Sequence, residues 1–450
     1  MKIAVVGSGY VGLVSAACLA QRGHRVACID KNPCVVDAIN NKKTPIFEKG
    51  LSALLKRHVG KRLNAFLSLE QVEEQFDAIM ICVGTPCKDG SIDLEYVRLA
   101  CVDTGQYLKQ NNHYCVVTVK STVLPKTTEG LARLLEVTSR KKCGRDFGLC
   151  MNPEFLKEGS AVLDFMNPDR IVIGGIDKKS ISVLKKIYAG FRAPIIEANL
   201  RTAEMIKYAS NSLLATLISF SNEIANICYY TGCLDIQEVM QAVHLDGRLN
   251  PVRNEKRINP AILDYLKAGC GFGGSCFPKD MTALTAFSRS LDYRPNLLES
   301  VIRVNLGQPL KVISILKSVY PSLEGLKIAL LGLAFKPETD DVRESPALVI
   351  ASELIKLGAL VSSYDPIVKS SSLRDINKEM VFCASWEKAL KGADAVIITT
   401  KWDEFHQISQ DKLKKLMKKP VLIDTRRMFD KKAFSGICYY GIGWNDGKGR

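Results

Sequence analysis

Fifteen cysteines in 450 residues include no CxxC pair, and the five histidines form no HxxxH motif or Cys/His cluster. That excludes the usual spacings of a structural metal site. The cysteines sit in apolar segments, as at Cys18, Cys28, Cys82, Cys115, Cys150 and Cys228, where a reduced thiol serves as a small core residue. Long apolar runs are also missing. The opening stretch Ile3 to Val6 is broken by Gly7, too short for a signal segment, and no other run approaches a membrane span. The expected location is therefore cytoplasmic, with no membrane partner. The net charge of +15 is not gathered into a basic stripe or interleaved with aromatics, so a nucleic-acid partner is not expected. A diffuse positive charge suits an anionic nucleotide ligand and equally an organism whose proteins are basic in general. Hydrophobic residues at 47% and charged residues at 24% describe a globular protein too long for one core.

From the first residue to about 195, short β-branched runs alternate with helical patterns, the signature of an open parallel sheet covered on both faces. Strands are predicted at Lys2–Val6, Arg25–Ile29, Ala78–Val83, Tyr114–Val119, Gly148–Met151 and Arg170–Gly174. A long helix without Gly or Pro is predicted over Arg201–Tyr230, apolar around much of its circumference and suited to packing on a second subunit. A second α/β series has strands predicted at Lys327–Leu331, Ala359–Tyr364, Ala395–Thr399 and Val421–Asp424. The predicted class is α/β: two Rossmann-like open parallel-sheet domains joined by a long central helix and a helical dimerisation region. The predicted divisions are 1–195, 196–319 and 320–444, with a basic tail at 445–450 expected to be disordered.

Gly7, Gly9 and Gly12, with Tyr10 and Val11 between them, form a GxGxxG turn directly after the first strand. Such a turn brings backbone and a helix N-terminus to a pyrophosphate. Asp30 ends the next strand, 18 residues after Gly12, where a carboxylate accepts from a ribose 2′-OH and repels a 2′-phosphate; Lys31 beside it weakens that preference slightly. NAD is therefore the predicted cofactor. Gly84-Thr85-Pro86 and Lys120-Ser121-Thr122 follow further strand ends of the same sheet, where ligands bind in open α/β folds, although turn chemistry alone explains them equally well.

Gly271-Phe272-Gly273-Gly274-Ser275-Cys276 delivers one thiol to a predicted helix start, with Asp280 one turn further on. A thiol at the positive end of a helix is a better nucleophile, and Asp280 is placed to orient water or take a proton. Glu154 and Glu158 follow another strand end, and Lys207 and Asn211 share one face of the long helix.

Taken in order, Gly7–Gly12, Val83-Gly84-Thr85-Pro86, Lys120–Val123, Asn152–Leu156, Gly271–Asp280, Phe335-Lys336 with Asp341–Ser345, Tyr364-Asp365-Pro366 and Asp424-Thr425-Arg426 resemble the UDP-glucose/GDP-mannose dehydrogenase family over nearly the whole chain. The resemblance implies oxidation of a nucleotide sugar at C6 from alcohol to carboxylate by two NAD⁺, through a thiohemiacetal and a thioester on Cys276. It implies that Asp280 orients the catalytic water, that Lys207 and Asn211 stabilise oxygen charge at C6, and that Glu158 and Thr122 handle a water and its proton. Which group acts as base in the first oxidation stays open. For the cofactor it adds Gly84, Thr85, Pro86, Ser121, Thr122, Glu158, Lys279 and Arg343. For the UDP-sugar it implies Glu154, Phe155, Leu156, Lys207, Asn211, Phe272, Gly273, Cys276, Phe335 and Lys336, with Lys336 and Arg343 at the diphosphate. An arginine between Gln241 and Lys267, either Arg248 or Arg257, is expected to reach a neighbouring subunit, so a homodimer or higher oligomer is expected. Ser275 before the cysteine favours UDP-glucose over UDP-N-acetylhexosamines, and GDP-mannose stays open. Outside the family, the alternatives are a one-step hydroxyacid dehydrogenase, which needs no Cys276, and a silent NAD-binding scaffold.

Overall fold

The computed structural model describes residues 1–88, 90–373 and 379–445, so the predicted tail, apart from Asn445, lies outside the described residues. The chain divides into two compact units, one of Met1–Ser210 with Thr282–Ser290 and one of Asn211–Met281 with Leu291–Arg450.

The first unit is built on eight strands: β1 (Lys2–Val6), β2 (Arg25–Ile29), β3 (Leu63–Phe66), β4 (Ala78–Ile81), β5 (Val116–Val119), β6 (Gly148–Met151), β7 (Ile171–Gly175) and β8 (Ile195–Ala198). Their order across the sheet is β8-β7-β6-β5-β4-β1-β2-β3. Continuous apolar runs form these strands because both faces are covered. The period of two sends Ile3 and Val5 into one core and Ala4 and Val6 into the other. Ala78 and Met80, against Ile79 and Ile81, divide the same way.

The order reverses between β1 and β4, and in open α/β sheets that switch point is where ligands bind. The Gly7 turn follows one of these strands and the Val83–Pro86 loop follows the other. One prediction fails in direction: β7 runs antiparallel to β6, pairing Cys150 with Gly175 and Met151 with Gly174. β7 therefore starts at the edge where β6 ends, and the intervening Asn152–Gly159 segment stays at that carboxyl edge. β3 and β8 were not predicted; Leu63–Phe66 includes Asn64, and Ile195–Ala198 is largely exposed, so neither shows a continuous buried run.

The long helix spans Leu200–Thr231, and the side chain of Asn199 caps its start by accepting from Thr202 N at 2.8 Å. In the second unit, β9 (Lys327–Leu331), β10 (Leu360–Tyr364), β11 (Val381–Phe382), β12 (Ala395–Ile398), β13 (Val421–Asp424) and β14 (Cys438–Gly441) are all parallel. Their order is β11-β10-β9-β12-β13-β14, the same wind as β3-β2-β1-β4-β5-β6. One large core gathers these strands with Trp386, Phe405 and Phe434. A smaller cluster packs Phe272 with Ala215, Met281 and Val301, seating the cysteine turn between two long helices. No described helix is long and apolar enough to cross a membrane.

Candidate active site

In the first unit the GxGxxG turn has the geometry a pyrophosphate requires. A Cβ on Gly12 would lie 1.8 Å from the Gly7 carbonyl oxygen, so only glycine lets this helix start so close to its strand. A Cβ on Gly9 would meet nothing within 4 Å, which leaves open the face where backbone meets phosphate. Asp30 stands at the end of β2 and accepts from Ser8 N at 2.8 Å and Asn32 N at 3.0 Å. Lys31 turns to Asp103, at 3.0 Å, rather than to Asp30. The residues present fit NAD⁺.

Asp365 ends the corresponding strand of the second unit and shows the contrast. Its carboxylate accepts from Leu333 N, Ala334 N, Ile367 N, Val368 N and the Trp402 indole, all within 3.1 Å. A carboxylate has about four lone-pair sites, so Asp365 has no capacity left for a ribose.

The loops after β4 and β5 are bonded to each other. Thr85 Oγ1 donates to the Thr122 carbonyl at 3.0 Å, and Ser121 Oγ donates to the Val83 carbonyl at 2.6 Å. Glu204, fully buried on the long helix, holds the chain just beyond, accepting from Lys126 N at 2.9 Å and Thr128 N at 2.8 Å. Lys207, one turn along, forms an ion pair with Glu154 at 2.9 Å, and both side chains are at most 7% exposed. Burial pushes the Glu154 carboxyl up, but the Lys207 ammonium and the Leu156 N–H, 2.6 Å from Oε2, outweigh it and hold the group below the usual carboxylate range. Two cations lie against Phe155, with Arg170 4.0 Å and Lys207 5.6 Å from its ring centre. Glu158 is half-buried. The next residue, Gly159, donates to buried Glu48 at 2.8 Å, and Glu48 also takes the Tyr10 hydroxyl, linking this segment to the cofactor turn.

In the second unit Cys276 occupies the N-cap of the helix Phe277–Arg289, its carbonyl accepting from Asp280 N at 2.8 Å. Its Sγ lies 3.6 Å from Ser275 Oγ. Asp280 is 1% exposed and accepts from Asn211 Nδ2 at 2.7 Å and from Lys279 Nζ at 2.5 Å. A carboxylate with two charge-assisted or amide donors is fixed in orientation.

The glycines before the cysteine serve close approach to the chain's own backbone. A Cβ on Gly273 would lie 2.2 Å from the Glu344 carbonyl oxygen, and one on Gly274 2.7 Å from the Phe335 ring. Gly274 N donates to the Arg343 carbonyl at 2.9 Å. Asn305 grips Phe272 from both sides, accepting from its N–H at 2.7 Å and donating to its carbonyl at 3.0 Å, while the Phe272 ring is core. Arg343 makes a paired contact with Asp341, at 2.9 and 2.8 Å, and Lys336 Nζ lies 5.8 Å from the Phe335 ring centre. Arg248 is exposed and pairs with Asp246, whereas Arg257 donates to the Leu245 and Asn250 carbonyls and braces its own hairpin. Glu48, Glu204 and Asn305 left no local signal, since each acts through partners at least 33 residues away.

Family models for the UDP-glucose/GDP-mannose dehydrogenases match the chain three times: the NAD binding domain over residues 1–192, the central domain over 201–306 and the UDP binding domain over 329–431. The chain belongs to this family. Among curated members of the UDP-glucose/GDP-mannose dehydrogenase family, UDP-glucose 6-dehydrogenase TuaD of Bacillus subtilis (strain 168) is 40% identical, covering 98% of this chain and 93% of that one. A UDP-glucose dehydrogenase structure from Pyrobaculum islandicum superposes with a TM-score of 0.89 at 37% identity, covering 98% of both chains. A UDP-D-ManNAc dehydrogenase from Pyrococcus horikoshii superposes at 0.86 with 28% identity, covering 99% and 100%. Within this family the Gly7–Gly12 turn and Asp30 lie in the NAD binding domain, Lys207, Asn211 and Cys276 in the central domain, and Lys336, Arg343 and Asp365 in the UDP binding domain.

Proposed function

We propose that this protein is a cytoplasmic UDP-glucose 6-dehydrogenase that converts UDP-glucose to UDP-glucuronate. The observation that carries the reading is Cys276 at a helix N-cap with Asp280 one turn on, buried and fixed by Asn211. The Gly7–Gly12 turn and Asp30 would hold NAD⁺, which when bound would supply the hydride acceptor for each of two oxidations. The C6 alcohol loses a hydride and a proton to give the aldehyde. The Cys276 thiolate then adds to the carbonyl carbon and forms a thiohemiacetal. Loss of a second hydride from C6, together with the hydroxyl proton, gives a thioester. Water attacks that acyl carbon, the C–S bond breaks, and the carboxylate leaves with the thiolate restored. Lys207 and Asn211 donate to the C6 oxygen as its charge grows. Asp280 orients the attacking water, and Glu158 and Thr122 relay its proton. Lys336 and Arg343 hold the diphosphate. UDP-glucose is supported by two relatives of that activity at 37–40% identity over nearly the full chain, and cytoplasmic residence by the reduced thiols buried in the cores, such as Cys18, Cys28, Cys115 and Cys150. The purified protein is expected to release NADH with UDP-glucose at least about tenfold faster than with UDP-galactose, UDP-GlcNAc, UDP-ManNAc or GDP-mannose. A faster rate with any of the other four would replace the substrate.

The same reading includes a homodimer. Leu213, Phe220 and Ile227 lie seven residues apart on the long helix and are 54%, 49% and 56% exposed. A stripe at that spacing is the seam of a helix–helix contact. Sedimentation is expected to give a dimer or higher oligomer, and Phe220→Glu with Ile227→Glu a monomer. A monomeric wild-type protein would refute it.

A further inference from the structure

Lys120 has no role in the scheme above, yet it is 4% exposed, and lysine is almost never buried without a partner. Its Nζ lies 3.1 Å from Asn152 Oδ1 and 3.5 Å from both the Asn152 carbonyl oxygen and the Tyr188 hydroxyl. Each of the three ammonium protons thus has a neutral acceptor. Asn152 cannot turn away, because its Nδ2 donates to the Val172 carbonyl at 2.8 Å while Oδ1 also accepts from the Tyr188 hydroxyl at 2.5 Å. No carboxylate among the described residues closes an ion pair with Lys120. The nearest compensation is Glu154, which borders the same cavity of about 120 Å³.

Glu154 therefore sits with two buried lysines, one already paired with it, and this buried trio keeps a net positive charge. A buried excess charge is costly unless negative charge appears beside it. A reaction that builds charge on a sugar oxygen next to Lys207 supplies that. Lys120 also begins the Ser121-Thr122 loop, while its acceptor Asn152 begins the segment that carries Glu154 and Glu158.

We propose that Lys120 is a positioning residue for the oxidation: it locks the Ser121-Thr122 loop to the Asn152–Glu158 segment and supplies the second positive charge that keeps Glu154 paired with Lys207. The proposal rests on the dehydrogenase reading above. Besides the two lysines, the ionisable groups around Glu154 are Cys82, Lys157, Asp164, Asp169, Arg170 and Tyr188. Burial pushes the Cys82 thiol up to about 12, so it stays neutral at working pH. Lys120 is one of the groups drawing the Glu154 carboxyl down. A depressed carboxylate keeps its charge to lower pH; removing a facing cation raises its pKa and moves the acidic limb of activity upward.

The test is kcat against pH for the full-length oligomer with UDP-glucose and NAD⁺, in wild type, Lys120→Met, Lys120→Gln and Asn152→Asp. Methionine removes charge and bonds, glutamine keeps a donor without charge, and aspartate neutralises the ammonium in place. All three are expected to move the acidic limb up by about one pH unit and to lower kcat at neutral pH about tenfold. A wild-type profile in Lys120→Gln, or an unmoved limb in Asn152→Asp, overturns the inference while leaving the dehydrogenase reading intact. A wild-type protein inactive on every nucleotide sugar overturns that reading instead.

Discussion

Cys276→Ser is expected to lower steady-state NADH production at least about a thousandfold and to release no uronate. The wild-type enzyme is expected to form two NADH for each sugar consumed. The reason is the second oxidation. An aldehyde has no hydride to give until a nucleophile has added to its carbonyl carbon, and a serine hydroxyl is far less ionised near neutral pH than a thiol. Ser275 cannot substitute, although its Oγ is 3.6 Å from the sulfur, because the N-cap position belongs to residue 276 and the chain on either side is fixed. The Gly273 and Gly274 contacts with Glu344 and Phe335, and the Asn305 grip on Phe272, hold that turn in place before any substrate arrives. Absorbance at the NADH band with mass analysis of the sugar product decides the matter. One NADH per sugar in the wild type, or full turnover in the serine variant, would reduce the chemistry to an ordinary two-electron alcohol oxidation.

The turn, the thiol and its aspartate were legible because each is local: a strand, three glycines and a helix start lie within a dozen residues, and Cys276 and Asp280 are one turn apart. The wind of both sheets followed from buried apolar runs for the same reason. What escaped was made by distance. Asn305 meets Phe272 across 33 residues, and Glu48 meets Gly159 across 111, so neither leaves a periodic trace. The antiparallel β7 escaped because an apolar strand reads alike in either direction. The glycines at 273 and 274 also let the turn pack against the 335–345 loop, a fact no glycine announces. The second unit repeats the glycine and the acid of the first, and only the count of N–H groups on Asp365 tells a closed site from an open one.

Lys207→Met is expected to lower both stability and activity, by separable routes. The Lys207–Glu154 pair is 2.9 Å long and almost wholly buried, and removing one member of such a pair costs about 3–5 kcal/mol because the other charge is left uncompensated. In the wild type the depressed Glu154 pKa contributes stability that is present above the unfolded value, near about 4.3, and is lost as pH falls through the folded one. Without Lys207 the sign reverses: burial dominates, the folded pKa rises, and the penalty is greatest at neutral pH and relieved as Glu154 takes a proton. Melting temperatures of variant and wild type should therefore converge as pH falls from 7 toward about 5. The double variant Lys207→Met with Glu154→Leu should recover part of the lost stability, since the carboxylate is no longer buried without Lys207, while Lys120 keeps only its neutral acceptors Asn152 and Tyr188. It should recover none of the activity, which falls at least about a hundredfold with the loss of the donor to the C6 oxygen. A double variant that regained turnover along with its melting temperature would show that Lys207 holds the fold and not the reacting oxygen.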